Sequence, residues 1–350
     1  MPRDVIEPSA ALQQISGSSQ LASAIATTDY SGCAATVIGY GYMGREFVKA
    51  LRALRVGHIC VCSRSEERLL ELKGLDGVTT ISGGWQRLTR RPAPNELGIV
   101  ATPSELLVPV AHHLLSLGVT KILVEKPVSC LPDDIFGLER AASAQGAEVA
   151  CAYNRVAYPS FHEVKARTGE EGGITSCSYT VTEFIHQIGP DRFSQYELAR
   201  WGIANSLHVM SMAHGLIGLP HTWKSFQTGS GSISWHPSGS VFVGAGLSEH
   251  GIPFVYHGDW GSTGRWSVEV HTAVASYRLC PLEKAYQRTS PMGEWVELPL
   301  TTFAPEVKVG VVEEVAAMLQ PAIRQLVPLV SLTEAERLAR YGEEVFGYTS

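Results

Sequence analysis

Between residue 33 and about residue 153, short β-branched apolar runs alternate with longer stretches whose apolar residues recur every three to four positions. The first kind predicts buried strands and the second amphipathic helices. Strands are expected over 35–39, 59–63, 98–101, 121–125 and 148–153, and helices over 44–54, 66–73, 106–117 and 133–145. Strands that alternate with helices in this way predict a parallel, doubly wound sheet with helices on both faces.

Beyond residue 154 the period becomes two. Cys177, Tyr179 and Val181 alternate with Ser176, Ser178, Thr180 and Thr182, as half-buried strands do, and Trp266, Val268 and Val270 repeat the pattern. Further strand-like runs cover 240–245, 253–257, 275–279 and 295–298, separated by Gly and Pro signals. A large, mostly antiparallel sheet follows from them, closed by helices over 311–319 and 334–346, the second capped by Thr333 with Glu336 three residues on. Residues 1–31 are rich in Ser, Ala, Gln and Thr, with weak apolar spacing at Leu12, Ile15, Leu21 and Ile25. They are expected to form an arm, disordered or loosely docked. The predicted organisation is therefore an arm over 1–31, a dinucleotide domain over 32–153 and an α+β substrate and oligomerisation domain over 154–350, whose last helices are able to pack back on the first domain.

Gly39-Tyr40-Gly41-Tyr42-Met43-Gly44 joins the first strand to the first helix. In a dinucleotide fold the first glycine makes the tight turn, the second lets the backbone approach the pyrophosphate, and the third lets helix and strand pack closely. The helix N-terminus then faces the phosphates. The second strand ends at Ser63-Arg64-Ser65, where an NAD-binding site places an acid for the ribose 2′-hydroxyl. No acid stands there. A guanidinium at Arg64 forks onto phosphate oxygens, and the flanking hydroxyls donate, so NADP(H) is expected over NAD(H). Two later strand ends border the same cleft. One carries Ala101-Thr102-Pro103, and the other Glu125-Lys126-Pro127, with the lysine at the mouth and the proline fixing its backbone.

Charge removes some classes of partner. With 28 basic against 34 acidic residues the net charge is −6, and no basic stripe invites nucleic acid or an anionic membrane. No apolar run approaches a membrane span, and Met1-Pro2-Arg3-Asp4 lacks a signal-peptide core, so a cytoplasmic location is expected. Seven scattered cysteines and twelve dispersed histidines show no metal-ligand spacing, and no metal is expected. Cys60 and Cys62, two apart on a strand, share a face and read as small core residues.

The glycine turn, Glu125-Lys126-Pro127, Asn154-Arg155 with Tyr158-Pro159, and Lys308-Val309-Gly310 together resemble the glucose-fructose oxidoreductase/inositol dehydrogenase (Gfo/Idh/MocA) family over about residues 33–347. That resemblance implies an open-faced α/β second domain. It places Lys126 beside the nicotinamide and the reacting oxygen, and makes His208, on a second-domain helix, the acid/base. Hydride transfer at a carbinol carbon requires a proton to move on its oxygen, and an ammonium stabilises the developing alkoxide. The chain departs from the family pattern: Ala204 and Ser211 stand where carboxylates usually accompany the histidine, and Ser104 and Leu107 replace parts of a Thr-Pro-Asn-x-x-His run. Asn205 is left to orient the ring.

The segment 201–212, the run 258–266 and Cys280-Pro281-Leu282-Glu283 look like the branch linked to bacterial surface-polysaccharide sugars. Trp201, Trp260 and Trp266 are candidates for stacking on sugar faces, with core packing expected for at least two of them, and Arg155, Arg192 and Arg265 are candidates for holding phosphate or carboxylate. Tyr158, Asn205 and His208 complete the expected substrate set. The expected activity is NADP-dependent interconversion of an alcohol and a ketone on a sugar or nucleotide-linked sugar by a homodimer or homotetramer. Reduction of an imine or conjugated acceptor, and non-catalytic NADP(H) sensing with a partner protein, are the alternatives.

Overall fold

The switch of period near residue 154 marks the passage from one sheet to another. In the computed structural model, which describes residues 17–348, the first part runs α1 (Gly17–Thr27), β1 (Ala34–Ile38), α2 (Tyr42–Ala53), β2 (His58–Ser63), α3 (Glu66–Leu69), β3 (Val78–Ser82), β4 (Leu97–Val100), α4 (Leu107–Ser116), β5 (Lys121–Glu125), α5 (Pro132–Ala144) and β6 (Glu148–Ala152). The second part runs α6 (Pro159–Glu170), β7 (Ser176–Thr180), α7 (Gln195–Ala199), α8 (Leu207–Ile217), β8 (Pro220–Thr228), β9 (Val241–Ser248), β10 (Pro253–Asp259), β11 (Ser267–His271), β12 (Ser276–Leu279), β13 (Tyr286–Arg288) and β14 (Val296–Glu297). The chain then returns through α9 (Val311–Leu319), α10 (Pro321–Arg324), β15 (Val330–Ser331) and α11 (Leu332–Phe346).

The first sheet has the order β15-β6-β5-β4-β1-β2-β3. Its pairs are parallel, with Val37 opposite both Val61 and Ile99, except that β15 runs antiparallel to β6. Alternate strand residues feed two cores: Val37, Ile99 and Leu123 pack with Phe47 and Leu51 of α2, while Ile38, Val100 and Val124 pack with Leu114 of α4 and Leu138 of α5. Burial on both faces is why these strands read as continuous apolar runs. Strand order reverses between β1 and β4, so the crevice at their carboxyl ends is where such a sheet takes a ligand.

The second sheet, ordered β14-β13-β12-β11-β7-β10-β9-β8, is antiparallel except for the β7–β10 pair. Cys177, Tyr179, Phe254, Val268, Val270 and Tyr277 point inward and are buried. The opposite face is open: Phe226, Leu247 and Val255 are exposed. Helix α9 packs on α2 and β5, and α11 on α5 and β6, tying the end of the chain to the first domain.

Several elements differ from the sequence-based expectation. The part of the arm that is described is a helix, whose Leu21, Ala22 and Ile25 are buried and whose Ser18 amide and hydroxyl both donate to Glu163. Residues 1–16, with Leu12 and Ile15, lie outside the described residues. Helix α11 starts two residues earlier than predicted, because Ser331 and Glu334 form the capping box and Leu332 enters the core. The sequence offers two overlapping Ser/Thr-x-x-Glu boxes, and burial of Leu332 selects the first. Strands β3 and β8 are sheet edges with mostly exposed or half-buried residues, so no apolar run announces them.

Candidate functional site

Gly39 has φ +97°, and a Cβ there would lie 2.2 Å from the Ala101 carbonyl oxygen. A Cβ on Gly44 would lie 2.0 Å from the Gly39 oxygen. These two glycines let β1, β4 and α2 meet. A Cβ on Gly41 would touch nothing within 4 Å, so that side of the turn, at the N-cap of α2, is open for a phosphate to approach the backbone. The loop therefore fits a dinucleotide. Tyr42 and Met43 face Lys308, whose ammonium lies 5.3 Å from the Tyr42 ring centre and 3.1 Å from Met43 Sδ. Tyr40 turns away instead. Its side chain is buried, with its hydroxyl donating to Glu71 Oε1 at 2.7 Å, which leaves its backbone for the expected cofactor contact. Arg64 is exposed at the end of β2, beside buried Ser63, and Ser65 caps α3 by accepting the Arg68 amide at 3.4 Å.

At the end of β5, Lys126 is half-buried and its Nζ donates to the Ala204 carbonyl at 2.8 Å, reaching from the first domain to the second. Burial pushes this ammonium below its ordinary range, Arg155 and Lys308 add to the effect, and Glu125 opposes it. Glu125 accepts the Lys126 amide at 3.0 Å; burial raises its carboxyl, against the pull of Lys126, Lys308 and Arg155. Lys308 is lowered by burial and then by Arg155. The cleft thus gathers three cations, Lys126, Arg155 and Lys308, about Glu125, with Glu314 close behind, a setting that suits a lysine with a mobile proton.

Arg155 follows β6 and organises the next layer. Its Nη1 donates to Asn154 Oδ1 at 2.6 Å and to His208 Nε2 at 3.2 Å, and its guanidinium lies 5.5 Å from the Tyr158 ring centre and 5.7 Å from that of Trp266. Asn154 in turn donates to the Val309 carbonyl at 2.8 Å. His208 is buried, and burial, then Arg155, holds its imidazole well below the usual range. A neutral ring that accepts at Nε2 carries its proton on Nδ1, which has no hydrogen-bond partner among the described residues.

A cavity of about 270 Å³ is lined by Arg155, Thr182, Glu183, Asn205, Arg265 and Trp266, among others. One wall is a single π-helical turn, Gly202–Ser206, leading into α8. Such turns displace one residue outward and recur at functional sites. Here three consecutive residues are engaged: Ala204 by Lys126, and Asn205 and Ser206 by Glu183, which accepts from Asn205 Nδ2 at 2.9 Å and Ser206 Oγ at 2.5 Å. Burial raises the Glu183 carboxyl, opposed by those two hydrogen bonds. Sequence reading missed Glu183, although it falls on the odd-numbered, inward parity of Cys177, Tyr179 and Val181, where an acid is out of place.

Other expected residues fall outside the cavity. Arg192 is exposed on a 3₁₀ turn and does not line it. Trp201 is buried against Phe193 and Trp235, and Trp260 is fully buried with its indole N–H donating to Val181 O at 2.9 Å, so both are core residues; Trp266 alone of the three meets the cavity. Thr102 Oγ1, just past the carboxyl end of β4, is buried without a partner among the described residues. A larger cavity, about 390 Å³, is lined by Ile25, Thr28, Tyr30, Arg55 and neighbours and shares no residue with this site. Among the described residues, no group of three or more His, Cys, Asp or Glu is arranged to hold a metal ion.

Residues 34–153 match the family described as "Oxidoreductase family, NAD-binding Rossmann fold" (GFO_IDH_MocA). Comparison with curated proteins found no match. Among solved structures, a UDP-N-acetylglucosamine 3-dehydrogenase from Acidithiobacillus ferrooxidans is similar over 90% of this chain and 97% of its own, at 13% identity and TM-score 0.65. A levoglucosan dehydrogenase complexed with NADH and L-sorbose is similar over 90% and 95%, at 15% identity and TM-score 0.69. An inositol dehydrogenase homologue from Azotobacter vinelandii complexed with NAD⁺ is similar over 90% and 95%, at 14% identity and TM-score 0.69. At such identities the likeness is one of fold.

Proposed function

With residues 34–153 matching the NAD-binding domain of the Gfo/Idh/MocA oxidoreductase family, we propose that the chain is an NADP-dependent oxidoreductase interconverting a carbinol and a carbonyl on a sugar that carries an anionic group, such as a nucleotide-linked sugar of surface-polysaccharide synthesis. The observation that carries this reading is Lys126, whose ammonium bridges the end of β5 to the π turn of the second domain, at the junction of the glycine-turn cleft and the substrate cavity.

The dinucleotide, when bound, supplies or accepts hydride. Gly39, Gly41 and Gly44 shape the turn that takes its phosphates, with Tyr42, Met43, Ala101, Thr102, Pro103, Glu125 and Pro127 along the cleft, and Arg64 at the end of β2 meets the 2′-phosphate. Lys126 donates a hydrogen bond to the reacting oxygen and stabilises the charge it gathers as its proton leaves. Arg155 and Arg265 hold the anionic part of the substrate while Trp266 supports a sugar face. His208, neutral and accepting from Arg155, keeps that guanidinium aimed at the cavity. Phe226, Leu247 and Val255 on the open face of the second sheet support assembly into a homodimer or homotetramer.

The test is a panel of nucleotide sugars and free polyols with each form of NADP, read by absorbance of the reduced cofactor. Turnover that Lys126→Ala abolishes while NADPH binding persists is expected. Tight NADPH binding with no turnover across the panel would leave the chain a dinucleotide sensor.

A further inference from the structure

Resting on the carbinol–carbonyl reading above, we infer that Glu183 is the acid/base of this site, exchanging the proton of the substrate hydroxyl through the cavity beside Lys126. Three observations meet at this residue. Glu183 is buried yet lines the cavity, so its carboxyl reaches bound substrate without being bathed in solvent. Its two oxygens accept from Asn205 and Ser206, the residues that directly follow the one whose carbonyl holds Lys126. One π turn therefore positions both the ammonium and the carboxyl, as a reaction that needs a charge stabiliser and a proton acceptor requires. Finally, the π turn carries Ala204 and α8 carries Ser211, so neither presents an acid of its own here, while the only lone pair of neutral His208 is taken by Arg155.

In the oxidative direction the C–H pair leaves the carbinol carbon as hydride for the oxidised nicotinamide dinucleotide. The O–H bond breaks, its electron pair becomes the second carbon–oxygen bond, and its proton passes to the Glu183 carboxylate. In reduction the carbonyl oxygen receives that proton from the Glu183 carboxylic acid as the carbon takes hydride, and solvent recharges the group. Burial favours the neutral acid, which brings its titration toward the working range.

The test compares wild type, Glu183→Gln, Glu183→Asp and His208→Asn, each checked by thermal melting and NADPH titration. Glu183→Gln should lower kcat by about 10²- to 10⁴-fold with NADPH affinity within about twofold of wild type, and Glu183→Asp should recover part of the loss. The pH profile of oxidation should rise through one ionisation that Glu183→Gln removes and His208→Asn keeps, the latter raising KM through Arg155. Independently of activity, the infrared band of a protonated carboxyl should weaken in Glu183→Gln relative to wild type. A wild type that turns over sugar while Glu183→Gln keeps its rate and pH limb overturns the assignment to Glu183 alone. A limb lost in His208→Asn and kept in Glu183→Gln transfers the role to the imidazole and also overturns it. Absence of any wild-type turnover overturns the carbinol–carbonyl reading and this inference with it.

Discussion

Arg155 Nη1 stands 3.2 Å from His208 Nε2, so the one imidazole on α8 that the family resemblance makes an acid/base is an acceptor for a guanidinium. The consequence runs in both directions. The nearness of the Arg155 guanidinium is the second cause, after burial, of the low proton affinity of the ring. His208 in turn fixes one arm of a guanidinium that lies near the rings of both Tyr158 and Trp266.

Arg155→Ala should raise KM for a nucleotide sugar far more than for the corresponding free sugar, with a smaller change in kcat, because it removes binding that ground state and transition state share. Losing one charge-assisted contact is worth about 1.5 to 3 kcal/mol, roughly tenfold to a hundredfold in affinity. Arg155→Lys should not restore it, since an ammonium lacks the planar fork that pairs with two phosphate or carboxylate oxygens. Steady-state kinetics on matched substrates decides the matter; equal effects on both substrates would return Arg155 to a structural role.

NADPH should bind more tightly than NADH, and Arg64→Ala should remove most of the difference. Arg64 is exposed at the end of β2 with no carboxylate at 63–65 to reject a 2′-phosphate. The difference expected from one charge-assisted hydrogen bond is again about 1.5 to 3 kcal/mol. Fluorescence titration of both reduced cofactors measures it, and an affinity for NADH equal to or above that for NADPH excludes the role of Arg64.

The inner strands of the parallel sheet were legible because they are buried on both faces and the crossover helices keep their own apolar period, so local pattern and tertiary environment agree at Val37, Val61, Ile99 and Leu123. The glycine turn was legible because its residue types answer to backbone geometry, as Gly39 shows. The cavity was less so. Glu183, Asn205 and Lys126 are brought together from three segments by the π turn, and nothing in the spacing along α8 announces that turn. Arg192 and Trp201 failed as cavity residues for a related reason: their types suit a ligand, but the short turns before α8 direct one to solvent and the other into the core.

Glu314→Met should stabilise the protein at pH 8 and do less at pH 5. Glu314 is fully buried on α9, neither carboxyl oxygen accepts a hydrogen bond from a described residue, and burial, then Glu125 and Glu313, holds its carboxyl well above the usual range. A group raised in the folded state gives its full stability below the unfolded pKa and loses it as pH climbs toward the folded value, by up to about 1.4 kcal/mol per pH unit. Methionine keeps the length of the side chain without a buried acid. Glu313, raised to about 7, remains in the variant and adds the same background slope to both proteins. Urea unfolding at the two pH values tests this, and a variant less stable than wild type at pH 8 would show that Glu314 has a partner role.

Acid should unfold the protein through its buried imidazoles, and His214 offers the clearest case. Its Nδ1 lies 3.0 Å from the Gly218 carbonyl and its Nε2 3.3 Å from Tyr179 Oη, which also meets Tyr341 Oη at 2.7 Å. With Nδ1–H donating to Gly218 and Nε2 accepting from Tyr179, the neutral ring is satisfied and a second proton has nowhere to go. Burial pushes it down to about 4, with His236 likewise at about 4 and His162 at about 3. The unfolded chain takes up these protons near pH 6.5 and the native state does not, so stability present above pH 6.5 is lost as pH falls toward 4. For His214 alone the loss is on the order of 3 kcal/mol. His214→Gln should cost about 1 to 2 kcal/mol at pH 7.5 through weakened hydrogen bonds, yet show a shallower decline between pH 6.5 and 4.5, because one of the proton-binding sites of the unfolded state is gone. Parallel urea titrations of wild type and variant over that interval should converge toward acid pH, and curves that stay parallel would place the acid sensitivity on other residues.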